Sequence, residues 1–267
     1  MAEIDNPARV FFGTELRRKR DESRLTGKEL ADTLGCTPQW ISTMESGRKI
    51  SEQSAHDLDT FFKLDGHFHR LWDLANDIEL RTVLPPGFTE YAARESKAST
   101  VRMFCGLLVD GLFQTEGYAG AVVGSINGSN TSDLINNRLE RQSILTQSSP
   151  PRVWLTIDEV ILRRVIGDHA VMREQLTYLL TASEHQNMML QVVPYKAGYH
   201  AGLGGSFTIL GFDDGSSNAY TESAGVGTLI KQPARLSDFV VRWDLLKGHA
   251  LPVAESRAMV RAAMEEL

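Results

Sequence analysis

Between residues 12 and 80, apolar positions recur at helical spacing in short, interrupted runs. "FFGTELRRKRDESR" sets Phe12, Leu16 and Arg20 at i, i+4 and i+8 on one face. "LTGKELADTLG" opens on Thr26 with Glu29 three residues on, the capping-box spacing, and closes on Gly35, where a positive φ stops a helix. Thr37 then caps a helix that has Pro38 in its first turn, Ile41 and Met44 inside, and Gly47 at its end. "SEQSAHDLDTFFKL" and "DGHFHRLWDLANDIEL" predict two more helices, with Leu58, Phe61, Phe62, Leu71, Trp72 and Leu74 as core. Pro85-Pro86-Gly87 marks a linker or sharp turn, so the expected domains are 1–80 and 88–267, joined by 81–87.

The pattern after residue 88 is mixed. "VRMFCGLLV", "RVWLTIDE", "NMMLQVVPY", "GSFTILGF", "SNAYTES" and "GTLI" read as strands, and Val153, Leu155 and Ile157 alternate as on a half-buried one. "QTEGYAGAVVG" and "TSDLINNRLERQSILTQ" read as helices. So does "HAVMREQLTYLLTASEH", with Met172, Leu176, Leu179 and Leu180 on one face. "RLSDFVVRWDLLKGHAL" aligns Leu236, Phe239, Val240, Trp243 and Leu246, and a last helix follows Pro252. "GSINGSNTS" (124–132) reads as a polar loop. The expected class is α+β: an all-α five-helix domain followed by a mixed α/β domain.

Composition narrows the class. A hydrophobic content of 42% with 23% charged residues is that of a globular protein. No window nears 18 consecutive apolar residues, and no basic segment precedes an apolar run at the start, so neither a membrane span nor a signal peptide is expected. Two cysteines, Cys36 and Cys105, make no disulfide framework, which fits a cytoplasmic setting. The net charge of −6 argues against nonspecific coating of nucleic acid. Local charge decides within a Debye length of about 8 Å, however. Phe12 to Lys49 holds eight Lys/Arg against six Asp/Glu.

A capped short helix, a glycine turn and a second short helix make the helix-turn-helix arrangement. Small Ala31 lets the two helices approach, with Leu30, Leu34, Ile41 and Met44 between them. Such units present the start of the second helix to base edges in the major groove. Those residues are Thr37, Pro38, Gln39, Trp40 and Thr43. Gln39 suits a bidentate bond to adenine, and Thr43 a base edge or a thymine methyl. Pro38 offers only apolar surface. Trp40 would either touch a thymine methyl or sugar or lie against the first turn of a neighbouring helix. The N–H groups after Thr26 and Thr37 can hold phosphates, with Lys28, Arg48 and Lys49 beside them. Arg17 and Lys19 would join them or form a solvated face. The plainer alternative is a helical hairpin that no longer binds DNA.

"LTGKELADTLGCTPQWISTMESGRK" resembles the DNA-binding domain of the xenobiotic-response-element (XRE) and phage-repressor family, over about residues 12–75. Leu25-Thr26, Glu29-Leu30-Ala31, Leu34-Gly35, Ile41-Ser42 and Glu45-Ser46-Gly47-Arg48 carry the match. The resemblance implies a five-helix fold and a structural ion pair between Arg20 and Glu45. Gly27 departs from it, standing where the family often has a glutamine that clasps phosphate. A modest affinity, or a need for a dimer or a second protein, is therefore expected.

Residues 85–265 resemble the uncharacterised domain fused to this helix-turn-helix in actinobacterial regulators of the WhiJ type, described as antitoxin-like. "GLFQTEGYA", "RLERQSIL", "VWLTIDEVILRRVIG", "LQVVPYKAGYHAGLGGSFTIL" and "AYTES" carry that match. It implies a one-component regulator, whose gene commonly neighbours one for a small BldB-like protein thought to modulate it.

The polar residues of those motifs are Gln114, Arg138, Arg141, Glu159, His200 and Glu222. A cleft gathering Glu159, His200 and Glu222 could do acid–base work or bind a cation. Arg138 and Arg141, three apart on a helix, would clamp a carboxylate or, more simply, pair with acids such as Glu159. The seven histidines contain no H-E-x-x-H, there is no G-x-S-x-G, and "GLGGS" lacks the P-loop ending. No catalytic residue, metal or cofactor is assigned.

The expectation is a transcriptional regulator, read as a repressor and a homodimer, that binds a double-stranded operator and receives a protein or small-molecule signal through its C-terminal domain. The alternatives are an antitoxin-like protein that binds a small partner and autoregulates, a metabolite sensor, and a cryptic enzyme.

Overall fold

The computed structural model describes residues 6–124 and 131–267, apart from the side chains at 79–83, 131 and 133. Of the polar loop expected at 124–132, residues 125–130 lie outside the described residues, while Gly124 ends a helix and Thr131 and Ser132 begin the next. Two compact units, Met1–Val83 and Leu84–Leu267, divide the chain.

In the first unit the described residues form α1 (Pro7–Glu22), α2 (Gly27–Leu34), α3 (Pro38–Glu45), α4 (Glu52–Phe62) and α5 (His67–Val83). Each boundary has a local cause. Asn6 caps α1, accepting from the N–H groups of Ala8 and Arg9, and its amide donates to Ala75 O at 2.8 Å, tying α1 to α5. Thr26 and Glu29 complete a reciprocal capping box on α2, which Gly35 ends at φ 66°. Thr37 caps α3 and Ser51 caps α4. Both oxygens of buried Asp59 on α4 accept from the start of α5, at Phe68 N and His69 N, each at 2.9 Å. Gly13 has no substitute: a Cβ there would lie 2.5 Å from Glu45 O, because α1 runs against the end of α3.

Phe12, Leu16, Leu30, Ile41, Met44, Leu58 and Phe68 are closed off from solvent and form one core. Full burial of such a side chain stabilises by roughly 1.5–3 kcal/mol. Leu74, expected in this core, is 49% exposed. The Asp59 cap sets the phase of α5 so that Phe68, Leu71, Trp72 and Ala75 face inward instead. α5 also continues through Val83, into the stretch expected as linker.

The second unit opens with α6 (Phe88–Glu95), for which no element was expected. The expected turn is present, with Gly87 at φ 82°. There follow β1 (Thr100–Cys105), α7 (Glu116–Gly124), α8 (Thr131–Arg141), β2 (Arg152–Asp158), α9 (Val160–Arg163), α10 (His169–Ala182) and β3 (Met188–Val193). The chain then forms β4 (Phe207–Gly211), β5 (Ser217–Ser223), β6 (Val226–Ile230), α11 (Pro233–Lys247) and α12 (Val253–Glu265). β1 stops before "GLLV", which was expected to continue it.

The strands form one sheet in the order β3-β2-β1-β4-β5-β6. β1, β2 and β3 are parallel neighbours with helical crossovers, whereas β4, β5 and β6 add antiparallel. Strand side chains alternate between faces. Val101, Met103, Leu155, Ile157, Leu190 and Tyr220 point to one face, packed with Tyr118, Met172, Leu176, Leu179 and Val260. Phe104, Trp154, Phe207, Ile209 and Ala219 point to the other, under Trp243 and Leu246 of α11. No helix of the described residues is long and apolar enough to cross a membrane.

Candidate nucleic-acid interface

α3 is held from behind and bare in front. Ile41 and Met44 are buried, while Thr37, Pro38, Gln39 and Ser42 are exposed. Gln39 and Ser42 are three residues apart and so share a face of the helix. Ser42 was not among the residues expected to read bases, although its spacing from Gln39 was the available signal. Thr43 is half-buried and its hydroxyl donates to Gln39 O at 2.9 Å, so in the free protein its methyl is the part left for a base. Arg48, Lys49 and Lys28 are all exposed nearby in sequence, and the Arg48 carbonyl accepts from Arg9 at 3.0 Å.

Trp40 takes the second of its two expected places. Its indole Nε1 donates to Ser54 Oγ in the first turn of α4 at 3.0 Å, and its ring packs on the core. Satisfying the indole N–H inside the protein keeps that donor from a base edge, and the ring itself is half-buried.

The two helix N-termini differ from what was expected of them. On α3, Pro38 has no N–H and Thr37 Oγ1 takes that of Trp40 at 3.2 Å, which leaves the Gln39 N–H for a phosphate. On α2, Glu29 accepts from the N–H of Thr26 at 2.8 Å and from its hydroxyl at 2.8 Å. The Thr26 backbone and side-chain bonds hold the Glu29 carboxyl below its usual pKa. A carboxylate thus occupies the end of α2 where a phosphate was expected, and Thr26 serves as a cap.

Arg20 and Glu45 are brought together. The guanidinium places Nε 2.6 Å from Glu45 Oε1 and Nη2 3.3 Å from Oε2, while Nη1 donates to Leu25 O at 2.9 Å. The Glu45 hydrogen bond, working against desolvation, raises the Arg20 pKa. Arg17, still 65% exposed, reaches the same carboxylate at 3.3 Å. Lys19 faces Glu22 at 3.4 Å. The late turns of α1 therefore spend their charge on protein carboxylates.

In the second unit, the six polar residues named from the sequence do not form one cluster: Arg138 lies within electrostatic reach of Arg141 and Glu222, whereas Glu159 and His200 have other partners. Arg141 pairs with Glu95, not Glu159: Nε lies 2.8 Å from Oε2 and Nη2 3.0 Å from Oε1, with Phe88 and Tyr91 rings 4.9 and 5.7 Å from the guanidinium. Burial works against the charge of Arg141, but Glu95 and Asp110 outweigh it and its pKa is raised. Arg138 is turned to Leu134 O at 3.0 Å and has no carboxylate within 4.0 Å among the described residues; burial lowers its pKa. Gln114 donates to Val109 O at 2.7 Å. Glu222 accepts from Tyr220 at 3.1 Å, on the sheet face of Tyr91 and Arg141.

His200 sits over the opposite face, against Phe104. Its Nδ1 accepts the Gly202 N–H and its Nε2 meets Asp158 Oδ2, both at 3.2 Å. Glu159 accepts from Tyr195 N at 2.9 Å and from Arg163 at 3.2 Å. β2 and β5 are three strand spacings apart, roughly 14 Å. The expected cleft of Glu159, His200 and Glu222 therefore does not form, because Glu222 on β5 lies away from the end of β2, where Glu159 and His200 sit. A depression of ≈ 560 Å³ is lined by Thr115, Ala170, Arg173, Glu174, Thr177 and Tyr178, none of them among the six.

Comparison with known families agrees with this two-part construction. Residues 12–72 match the model described as "Helix-turn-helix domain", which gives the first unit the character of a DNA-binding module. Residues 88–262 match the model described as "Domain of unknown function (DUF5753)". No curated protein and no solved structure matches the chain. The second match alone spans more than half of the sequence, and the chain belongs to the DUF5753 family, carrying a helix-turn-helix domain ahead of the family's domain.

Proposed function

We propose that the protein is a sequence-specific transcriptional regulator that lays α3 in the major groove of an operator and represses from it. The observation that carries this is the exposed Gln39–Ser42 face of α3, whose two side chains make no hydrogen bond among the described residues and which is followed by Arg48 and Lys49. Gln39 reads adenine and Ser42 a neighbouring base edge, while Lys28, Arg48, Lys49 and the Gln39 N–H hold phosphates. Two base readers are few, so useful affinity needs two copies of the unit. A dimer spans half-sites about 34 Å apart, and a signal received by the second unit acts by changing that spacing. Binding-site selection from a random DNA pool tests this. A palindromic or directly repeated motif is expected with the whole chain. A protein that enriches no motif, or enriches the same one after Gln39→Ala with Ser42→Ala, contradicts the reading.

We further propose, on the resemblance of the sequence motifs alone, a WhiJ-type regulator with a small BldB-like protein as modulator. Co-purification of the chain with the neighbouring gene's product tests that partner. Catalysis forms no part of the proposal, since Glu159, His200 and Glu222 are each committed to separate partners. A turnover abolished by His200→Ala in a folded protein would refute that.

A further inference from the structure

α4 and α5 carry a group of side chains that DNA binding does not use. Glu52 and His56 are four residues apart on α4, and His69 comes from the first turn of α5. One ligating atom from each lies within 4.8 Å of the other two. Glu52 Oε1 is 3.6 Å from His69 Nε2, and the His56 and His69 rings stack with centroids 4.2 Å apart. The other nitrogen of His69, Nδ1, faces Asp73 Oδ2 at 3.4 Å.

Two imidazoles and a carboxylate are a donor set that suits zinc and its first-row neighbours. Ligands about 2.0–2.1 Å from a tetrahedral ion stand about 3.3 Å from each other, so the Glu52–His69 separation needs little adjustment. His69 also has the outer partner that metal-bound imidazoles commonly have. A carboxylate at Nδ1 takes the ring proton there and turns the Nε2 lone pair towards Glu52 and His56. The main chain is fixed as well, since Asp59 accepts the His69 N–H at 2.9 Å.

We propose that Glu52, His56 and His69 bind one first-row divalent metal ion of the zinc class, with Asp73 orienting His69 and water completing the shell. The ion clamps α4 to α5. It also steadies the support of α3, because the first turn of α4 that carries Glu52 also holds Ser54, the acceptor of the Trp40 indole. His67, two residues before His69, faces Glu15 at 3.4 Å and takes no part.

The test titrates Co²⁺, whose visible bands report its ligands, into the untagged full-length chain. A spectrum that saturates at one ion per chain and is displaced by Zn²⁺ is expected. His56→Ala and His69→Ala should lose it, and His67→Ala should keep it. Glu52 and His56 are exposed, so Glu52→Gln and His56→Ala keep the fold, and circular dichroism checks that they do. Zn²⁺ should slow amide exchange in residues 51–73 of the wild type and leave His56→Ala unchanged. No saturable spectrum in the wild type, or one that survives both histidine substitutions, overturns the site. Zinc-slowed exchange that persists in His56→Ala places the ion elsewhere and overturns it equally.

Discussion

Glu95→Ala asks whether Arg141 is a brace or a ligand-binding residue. Glu95 is 1% exposed and accepts from both Arg141 and the Tyr91 hydroxyl. Removing it leaves a buried guanidinium whose nearest remaining acid is Asp110, at 3.7 Å. Breaking a buried pair from one side costs about 3–5 kcal/mol. Asp110 is imperfectly placed but close, which points to the lower half of that range. In a unit the size of Leu84–Leu267, each kcal/mol moves the melting temperature by about 2–4 °C. A fall of at least about 6 °C is therefore expected from calorimetry of the full chain. Replacing both partners with apolar residues, Glu95→Leu with Arg141→Met, removes the charge along with its partner. That double variant should be more stable than either single one. A Glu95→Ala melt within about 2 °C of the wild type, or a double variant as unstable as the sum of its parts, would refute the brace.

Gly13→Ala drives a Cβ to 2.5 Å from Glu45 O and 2.7 Å from Met44 O. Both are main-chain atoms that cannot swing aside, so thermal melts should show a loss of about 1–3 kcal/mol. On an adenine-containing operator, Gln39→Ala should cost about 1–3 kcal/mol in gel-shift titrations and relax preference at one position. Lys49→Ala should instead weaken all sequences alike and lower the salt slope by about 1. Burial pushes the Tyr118 phenol up to about 12. Unfolded, it ionises near 10, so between these values the unfolded chain holds fewer protons and stability falls as pH rises. Urea titrations across that window should show a shallower fall for Tyr118→Phe.

What the sequence made legible follows from how local each cause is. Capping residues act on the main chain within three positions, so the starts of α2 and α3 could be read from Thr26, Glu29, Thr37 and Pro38. α6 escaped because Gly87 gives it no side-chain cap and because the inner face carries Glu95 beside Tyr91. A carboxylate at a core position hides the apolar period, and Arg141, brought from α8, makes that position tolerable. Leu74 was misplaced because the phase of α5 is set by Asp59, a residue of another helix. Trp40 could not be assigned without knowing where Ser54 lies. Glu52, His56 and His69 match no linear motif, since α4 and α5 must first be packed together.

The middle of the sheet sets an order of events as the chain is made. Ser99, just before β1, bonds Gly211 across 112 residues of sequence. β1 can pair with β2 once residue 157 has emerged, but its other edge stays open until β4 follows. Chains lengthen at about 5–20 residues per second, so that open edge lasts several seconds during each synthesis. The helix-turn-helix unit closes its own core from residues 8–78 and has no such wait. A nascent chain would thus hold a finished DNA reader while its second unit is still an unclosed sheet. Arrested synthesis after that point would release folded helix-turn-helix units that lack the DUF5753 domain.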